Sequence, residues 1–521
     1  MLARLFRWFL GLELFGRVMV GVFVFVVFTR LFYTEENWRG KRAWEACRRE
    51  LIAQGVELNP DKYTPPPVPD DQNFAMTPFL APLFDFNPKP RQPGQSPWRD
   101  VEGRERAGNF GAALLPENEP GRNPLLRLAG QMTDLERSLR LLRQNTNSSS
   151  PSPSFSNRTD AAAAVLEALE QYKPVLDELR AASHRPYSRF NVEYDAEDPM
   201  TILLPHLQVL RRASKALEVR ASAALVLGKT EATLDDIRFM FFLADSIHNE
   251  PFIVSHMVRA TMLQGAQQII WEGLAQQRWS VPQLRDLQTH LEKITLLKDV
   301  GVSLGVERAA FGNKAFEFVR NRPHELRQLA GWDDNAAPLR VLLVAPSGWL
   351  YLEQVSYHRL HDEEALAGFD PQAGQIHPRI IDENKKRSDN YTNSFFSTVL
   401  HHRAFARLML GGFCKVFQRT AVAQTGADQA AIACALERYR LANGKYPETL
   451  DALVPQFVGK LPVDVCTGQP LKYRRTDDGR FVLYSVGWNE TDDGGKIVLS
   501  GNDSQTEITQ GDWIWPQYVS D

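Results

Sequence analysis

Residues 435–495 read ALERYRLANGKYPETLDALVPQFVGKLPVDVCTGQPLKYRRTDDGRFVLYSVGWNETDDGG and predict a defined order of elements. A helix is expected to end at Asn443-Gly444, the usual glycine signal of a helix C-terminus. A short second helix follows Pro447, two strands come next, and an acidic turn with two glycines closes the unit. This order predicts a small α+β domain in the last part of the chain.

The same stretch resembles the globular half of the major pseudopilin of type II secretion systems. Its NGKYP phrase at 443–447, its LPVDVCTGQPLKY segment at 461–473 and its YSVG strand at 484–487 carry the resemblance, which covers about a fifth of the chain. The resemblance implies an extracytoplasmic assembly or scaffold module without a catalytic constellation. The preceding helix lacks the cleavage phrase and hydrophobic tail of a pilin precursor, so the chain is not expected to be a pseudopilin subunit.

Length and composition limit the possible classes of protein. A chain of 521 residues should divide into about two to four folded units. A net charge of -3 gives no drive toward nucleic acid, so no nucleic-acid partner is expected. The four cysteines match no metal or redox spacing. Cys434 and Cys466 are either two buried free thiols or one disulfide bridge.

The amino terminus predicts a transmembrane helix. Residues 18–28, VMVGVFVFVVF, are uninterruptedly apolar, and the 21 residues from Trp8 would span a hydrocarbon core of about 30 Å. Glu13 and Arg17 are four residues apart and can pair on one helix face. No small-residue cleavage site follows, so residues 1–33 are interpreted as an uncleaved signal anchor rather than a signal peptide. A buried core helix is the alternative.

Charge does not determine the membrane orientation, because arginines and lysines lie on both sides of the apolar run. The pseudopilin resemblance implies that most of the chain is extracytoplasmic. The stretch from residue 37 to residue 86 also resembles a phrase of membrane-anchored proteins of environmental bacteria. Together these resemblances imply a single-pass protein of the bacterial inner (cytoplasmic) membrane.

The rest of the chain predicts a mainly α protein. A juxtamembrane helix and a proline-rich arm that wraps a folded surface occupy residues 34–143, and a serine- and proline-rich linker occupies residues 144–159. Residues 160–394 have helical periodicity and resemble tetratricopeptide-type hairpins, with an irregular all-helical domain as the alternative. Residues 395–521 are predicted to form a long helix followed by the α+β domain. The type of the RVLLVA segment at 340–345 stays open between strand and helix.

Residues 206–247 predict a helical hairpin. Two helices are expected to join at Gly228, with Thr233 as the N-cap of the second helix. Small alanines on the first helix face large residues on the second, which suits close antiparallel packing. Phe239, Phe242 and Leu243 are the predicted buried residues of the second helix.

Several motif-like strings are expected to be accidental. Residues 301–305 fit GxSxG, but their flanks are helical, whereas a nucleophile elbow needs a strand before the serine. Residues 228–230 imitate the end of a P-loop whose first glycine is replaced by Ala223. His358, His361, Asp362 and Glu363 form a cluster that is interpreted as a solvated helix end, with a metal site as the alternative.

The acidic turn after YSVG is the one candidate site. Asn489, Asp492 and Asp493 precede two glycines, and amide, carboxylate and backbone oxygens in one loop are the ligands that calcium prefers. Major pseudopilins, which this segment resembles, bind calcium in the corresponding loop. The three residues are therefore tentative calcium ligands, and an ordinary acidic turn is the alternative.

Two functions follow from these observations. The first is a non-enzymatic, membrane-anchored envelope scaffold, associated with secretion or assembly, whose partners are other envelope proteins. The alternative is an envelope hydrolase whose active site lies in the helical domain without forming a sequence motif. A pocket with convergent carboxylates would favour the hydrolase, and an apolar presenting surface would favour the scaffold.

Overall fold

The computed structural model describes residues 11, 13–86, 98–115, 130–144, 155, 157–326, 337–392, 394–410, 412–499 and 506–516. Most of the predicted linker at 144–159 and the first part of the predicted anchor lie outside the described residues. The described part of the chain is mainly helical with a few small sheets, as the sequence predicts.

Seventeen α-helices are described. In chain order they are α1 Leu14–Ala53, α2 Val101–Asn109, α3 Leu135–Gln144, α4 Arg158–Leu169, α5 Lys173–Ala182, α6 Pro205–Val226, α7 Thr230–Asp245, α8 Ile253–Ala275, α9 Val281–Leu291, α10 Leu296–Ala309, α11 Ala315–Asn321, α12 Ala337–Leu342, α13 Gly348–His361, α14 Pro378–Thr392, α15 Phe395–Leu400, α16 Ala404–Met409 and α17 Phe413–Asn443. A π-helical turn, Ala310–Lys314, joins α10 to α11.

The strands form three small antiparallel sheets. They are β1 Phe369–Asp370, β2 Gln375–Ile376, β3 Lys472–Arg475, β4 Phe481–Ser485, β5 Ile497–Leu499, β6 Thr506–Gly511 and β7 Trp513–Trp515. β1 pairs with β2, β5 pairs with β6, and the third sheet has the order β3-β4-β7. In that sheet Tyr473 lies opposite Leu483, and Tyr484 lies opposite Ile514.

Helix α1 confirms that the chain has an N-terminal helix long and apolar enough to span a membrane. It runs for 40 residues, and none of its 18-residue apolar window is buried in the body of the protein. Its second half is different, because Trp44 and Leu51 are buried in a small core with Leu58 and Val355. The helix ends where Gly55 adopts a φ of 80°. A single helix therefore has an exposed apolar half and a half that is part of the folded body.

The proline-rich arm is part of the core rather than a layer on its surface. Between residues 60 and 84 it forms four short 3₁₀ helices. Phe74, Phe79, Leu80 and Leu83 are almost fully buried in the same apolar cluster as helices α4 to α9. The arm also adds a hydrogen bond from the Phe74 N–H to the Tyr187 carbonyl at 2.8 Å.

Helices α6 and α7 form the predicted hairpin, with Gly228 at a φ of 73° in the turn. The predicted N-cap is wrong, because α7 begins at Thr230 and Thr233 lies inside it. The buried Thr233 hydroxyl donates to the carbonyls of Lys229 and Ala221, which ties the two helices together. Leu243 and Phe239 are buried as predicted, whereas Phe242 is only half-buried.

The predicted long helix from residue 395 is wrong in its first part. The chain forms α15 and α16 before α17, because His402 and Gly412 adopt positive φ values of 52° and 105°. The RVLLVA segment belongs to α12 and the turn after it. The predicted helix end at Asn443 is confirmed, with Gly444 at a φ of 77°. The element after Pro447 is a 3₁₀ helix, Leu450–Leu453.

Helix α17 joins the helical body to the C-terminal sheet. Its alanine-rich middle is buried on all sides and packs on α8 and α9. Leu436 of α17, Leu483 of β4 and Trp515 of β7 belong to the same apolar cluster as α6 to α9. The C-terminal module therefore shares a core with the helical body.

Candidate functional site

The candidate functional site is the junction where α1 meets α13. The two helices cross at Gly40 and Gly348, and both glycines are buried. A Cβ atom added to Gly40 would overlap the carbonyl of Gly348, and one added to Gly348 would overlap the backbone of Glu36 and Asn37. Only glycine permits this approach of two backbones, so the pair fixes where the helices touch.

Polar side chains of α1 cap the start of α13. The Asn37 Oδ1 atom accepts hydrogen bonds from the Gly348 N–H at 2.8 Å and from the Ser347 hydroxyl at 3.1 Å. The Glu36 carboxylate accepts a hydrogen bond from the Trp349 indole at 2.9 Å. The first N–H groups of a helix have no partner within it, so α1 supplies the cap that α13 lacks locally.

A buried aromatic and charged cluster lies further along the same contact. The Trp44 ring stacks on His358, with ring centroids 5.3 Å apart. The Arg308 Nε–H donates to Nδ1 of His358 at 3.2 Å, while Nε2 lies 3.1 Å from the Gly312 carbonyl. Nε2 therefore carries the hydrogen, and the ring is neutral. Burial and the neighbouring guanidinium lower the pKa of His358 to about 3.

Arg308 extends this cluster to the surface. Its guanidinium contacts the half-exposed Asp362 carboxylate through two nitrogens, at 2.7 and 2.8 Å. Gly312 lies in the π-helical turn, where a Cβ atom would overlap the Tyr357 ring. The turn thus places a carbonyl against His358, and the cluster connects α1, α10 and α13.

The histidine cluster predicted at a solvated helix end is buried instead. His358 and His361 are 0% and 1% exposed, and only Asp362 and Glu363 reach solvent. The sequence next to α13 could not predict this burial, because the α1 residues that cover His358 lie more than 300 positions away. Both nitrogens of His358 face protein partners, so this ring is a structural group.

Sequence reasoning also missed two buried carboxylates. Glu353 accepts hydrogen bonds from the N–H groups of Ala404, Phe405 and Ala406 at 2.9 to 3.0 Å, and so caps α16. Glu272 accepts hydrogen bonds from Thr133, Ser222 and Gln268. An acidic residue on a predicted core face was the only available signal for either group.

The predicted calcium ligands lie together in the turn after β4 but engage different partners. Asp492 accepts a hydrogen bond from the Tyr484 hydroxyl at 2.8 Å and lies 3.4 Å from the Lys472 ammonium. The Asn489 amide donates to Asp493 at 3.2 Å. Among the described residues, no three His, Cys, Asp or Glu side chains form a metal-binding group. Calcium binding stays a prediction.

Asp512 holds this turn in place. Its carboxylate accepts hydrogen bonds from the N–H groups of Asp493, Gly495 and Lys496, the shortest at 2.6 Å. The turn is thus closed by its own backbone donors.

Two of the carboxylates that line clefts, Asp236 and Glu437, are engaged in ion pairs. An open cleft of about 340 Å³ beside α4 to α7 contains Asp236, which pairs with Arg180 and Arg220 at 2.7 and 2.5 Å. A polar cavity of about 430 Å³ between α8, α17 and the sheet contains Glu437. Glu437 accepts hydrogen bonds from Arg440 and the Tyr446 hydroxyl. Both carboxylates have structural partners.

The motif-like strings have the expected structural roles. Ser303 of the GxSxG string is buried within α10, and residues 228–230 form the turn of the α6–α7 hairpin. Cys434 and Cys466 are buried free thiols, which was one of the two expected states. Burial raises the pKa of the Cys466 thiol well above its usual value.

Comparison with family models, curated proteins and solved structures finds no match to this chain.

Proposed function

We propose that this protein is a non-enzymatic scaffold of the bacterial inner membrane, held by a single transmembrane helix within residues 1–33. Its extracytoplasmic body presents surfaces to other envelope proteins. The observation that carries the proposal is the junction of α1 with α13, where an apolar helix continues without a break into the folded core. A helix that only attached the body to the membrane would not need to pack on α13.

The junction supports a fixed orientation of the body relative to the membrane. About 21 residues separate Phe32 from Ala53, a rise of about 32 Å within one helix. Gly40, Asn37 and Trp44 contact α13 along this length. A rigid connection matters for a scaffold, because its binding surfaces must face partners at a set height and angle.

The assignment to the envelope side of the membrane has a different basis. It depends on the resemblance of residues 435–495 to the pseudopilin globular domain. That module shares a core with the helical body, so both would lie on the same side of the membrane.

Membrane fractionation with topology reporters tests this proposal. The full-length chain should stay in membranes after an alkaline carbonate wash, and its intact mass should include the residues before Thr29. A periplasmic reporter enzyme fused after residue 521 should be active, and a cytoplasmic reporter at the same place should be silent. A soluble mature chain that begins after Thr29 would contradict the anchor, and the opposite reporter result would contradict the orientation.

A further inference from the structure

Four exposed apolar side chains form a patch on α15 and the turn after α12. Val344, Phe395, Phe396 and Leu400 are 72%, 43%, 73% and 70% exposed. Helix α15 packs on α12, which brings the two elements side by side, and we call these four side chains the α12–α15 patch. Aromatic and aliphatic groups that cluster on a surface usually mark a contact with a partner or a membrane.

The patch lies directly beside the end of the apolar half of α1. The Tyr33 hydroxyl donates a hydrogen bond to the Val344 carbonyl. Phe32 and Tyr33 are partly exposed and follow shortly after the apolar run at 18–28, and aromatic side chains favour a membrane–water interface. Val344 therefore lies at the level at which α1 would leave the bilayer.

The position of the patch is fixed relative to α1. Helix α13 packs on α1 and also on α16. The Ser356 hydroxyl of α13 donates to the His401 carbonyl at 3.1 Å, directly after α15. Trp349 contacts both Glu36 of α1 and the His402 ring. The patch thus cannot move away from the bilayer without breaking the junction.

We propose that the α12–α15 patch inserts into the interfacial region of the same bilayer that α1 spans, on the leaflet facing the body. Continuity with the apolar surface of α1 favours lipid over a second protein, because lipid already surrounds that surface. Phe and Leu side chains are among those that interfacial segments bury at the boundary between headgroups and acyl chains. The inference rests on the proposed function, in which α1 is a transmembrane anchor.

A probe on the patch tests the proposal in the full-length chain. In a Cys47→Ser, Cys414→Ser background, Phe396→Cys is labelled with the environment-sensitive dye NBD, while Cys434 and Cys466 stay buried. The chain is reconstituted in nanodiscs of phosphatidylcholine and phosphatidylglycerol, with and without nitroxide-labelled lipid. The label at position 396 should emit further to the blue than in water and be quenched by the nitroxide lipid.

The matched control is Leu441→Cys, because Leu441 is 45% exposed near the far end of α17. Its label should keep the emission of a water-exposed dye and escape quenching. Equal, weak quenching at both positions would overturn the proposal. A blue shift at position 396 without nitroxide quenching would also overturn it, and would indicate a protein partner or a second copy.

Failure of the anchor itself would look different. If α1 does not span the membrane, the unlabelled full-length chain would be lost from nanodiscs in an alkaline wash, whatever the dye reports. If α1 spans the membrane and the patch does not touch it, the chain would be retained while the dye at position 396 stays in water. The two results separate the inference from the proposed function.

Discussion

Gly40 and Gly348 are the residues on which the attachment of α1 depends. Each lies where a Cβ atom would overlap the backbone of the opposite helix rather than a flexible side chain. Backbone cannot yield as a side chain can, so a larger residue must separate the helices and break the Asn37 cap. Neither glycine has a positive φ, and the requirement is one of space alone.

We predict that Gly40→Leu destabilises the junction by about 1 to 3 kcal/mol, the usual cost of overpacking. Gly21→Leu is the control in the same helix, because nothing lies within 4 Å of a Cβ atom at that position. Chemical denaturation in detergent, followed by Trp fluorescence, measures both variants. Equal stabilities for the two variants would show that α1 and α13 do not touch at Gly40.

His358 makes the junction sensitive to acid. Its pKa is about 3 in the folded protein and near 6.5 when unfolded, so between these values the unfolded chain binds more protons. Stability should therefore fall as the pH drops below about 6.5, by up to about 1.4 kcal/mol per pH unit for this group. His361, also with a pKa of about 3, acts in the same direction.

His358→Asn should reduce this slope by up to about 1.4 kcal/mol per pH unit, because asparagine does not titrate and its oxygen can still accept from Arg308. The remaining slope comes from His361, His256 and His402, whose pKa values are also lowered by burial. The free energy of unfolding between pH 7 and pH 5 is the measurement. His324→Asn, at a largely exposed position, is the control for the substitution itself. A slope in His358→Asn equal to that of the wild type would assign the acid sensitivity to other groups.

At the scale of elements, the proline-rich arm behaves as part of the helical body. The Phe74 ring of the arm meets the Phe242 ring of α7 edge to face, with centroids 4.9 Å apart. Phe74 is fully buried, whereas Phe242 is half-buried. The expected cost of truncating Phe242 is therefore below that of a fully buried ring.

We predict that Phe242→Ala costs about 2 kcal/mol, compared with about 3 to 5 kcal/mol for Phe74→Ala. A double-mutant cycle should give a coupling of about 0.5 to 1.5 kcal/mol between the two rings. Leu203→Ala, at a 63% exposed position, is the control and should change stability by less than about 0.5 kcal/mol. Zero coupling would mean that the arm does not dock on α7.

At the scale of the whole molecule, the C-terminal module depends on the rest of the chain. Helix α17 is covered by α8 and α9, and β4 and β7 contribute to the same core as α6. A fragment that begins near Thr420 would expose this buried face to water. Experiments on the acidic turn therefore require the full-length chain.

If the turn binds calcium, the full-length chain should gain about 2.7 kcal/mol of stability at a hundredfold excess of calcium over its dissociation constant. Thermal melting in calcium and in chelator measures this gain. Asp492→Ala with Asp493→Ala should abolish it, whereas Asp478→Ala in the exposed neighbouring turn should not. Identical melting of the wild type in both solutions would contradict calcium binding, and the partners of Asp492 would then be Lys472, Tyr484 and the Gly494 N–H.

The sequence alone was sufficient where the signal is local. Apolar run length predicts the long N-terminal helix, periodicity predicts the α6–α7 hairpin, and Gly444 predicts the end of α17. Each of these features depends on residues within a few positions of one another. Residues at such short separations determine the backbone conformation and the spacing of buried positions along a helix or strand.

Only the tertiary structure decided which surfaces meet. The cap that Asn37 gives to α13, the burial of His358 under Trp44 and the position of Val344 beside Tyr33 each join residues about 310 positions apart. The break at His402 and Gly412 likewise depends on how α15 and α16 pack on α12 and α13. Such contacts form because buried backbone and side-chain groups must find partners, and the partners are chosen by three-dimensional packing rather than by neighbours in sequence.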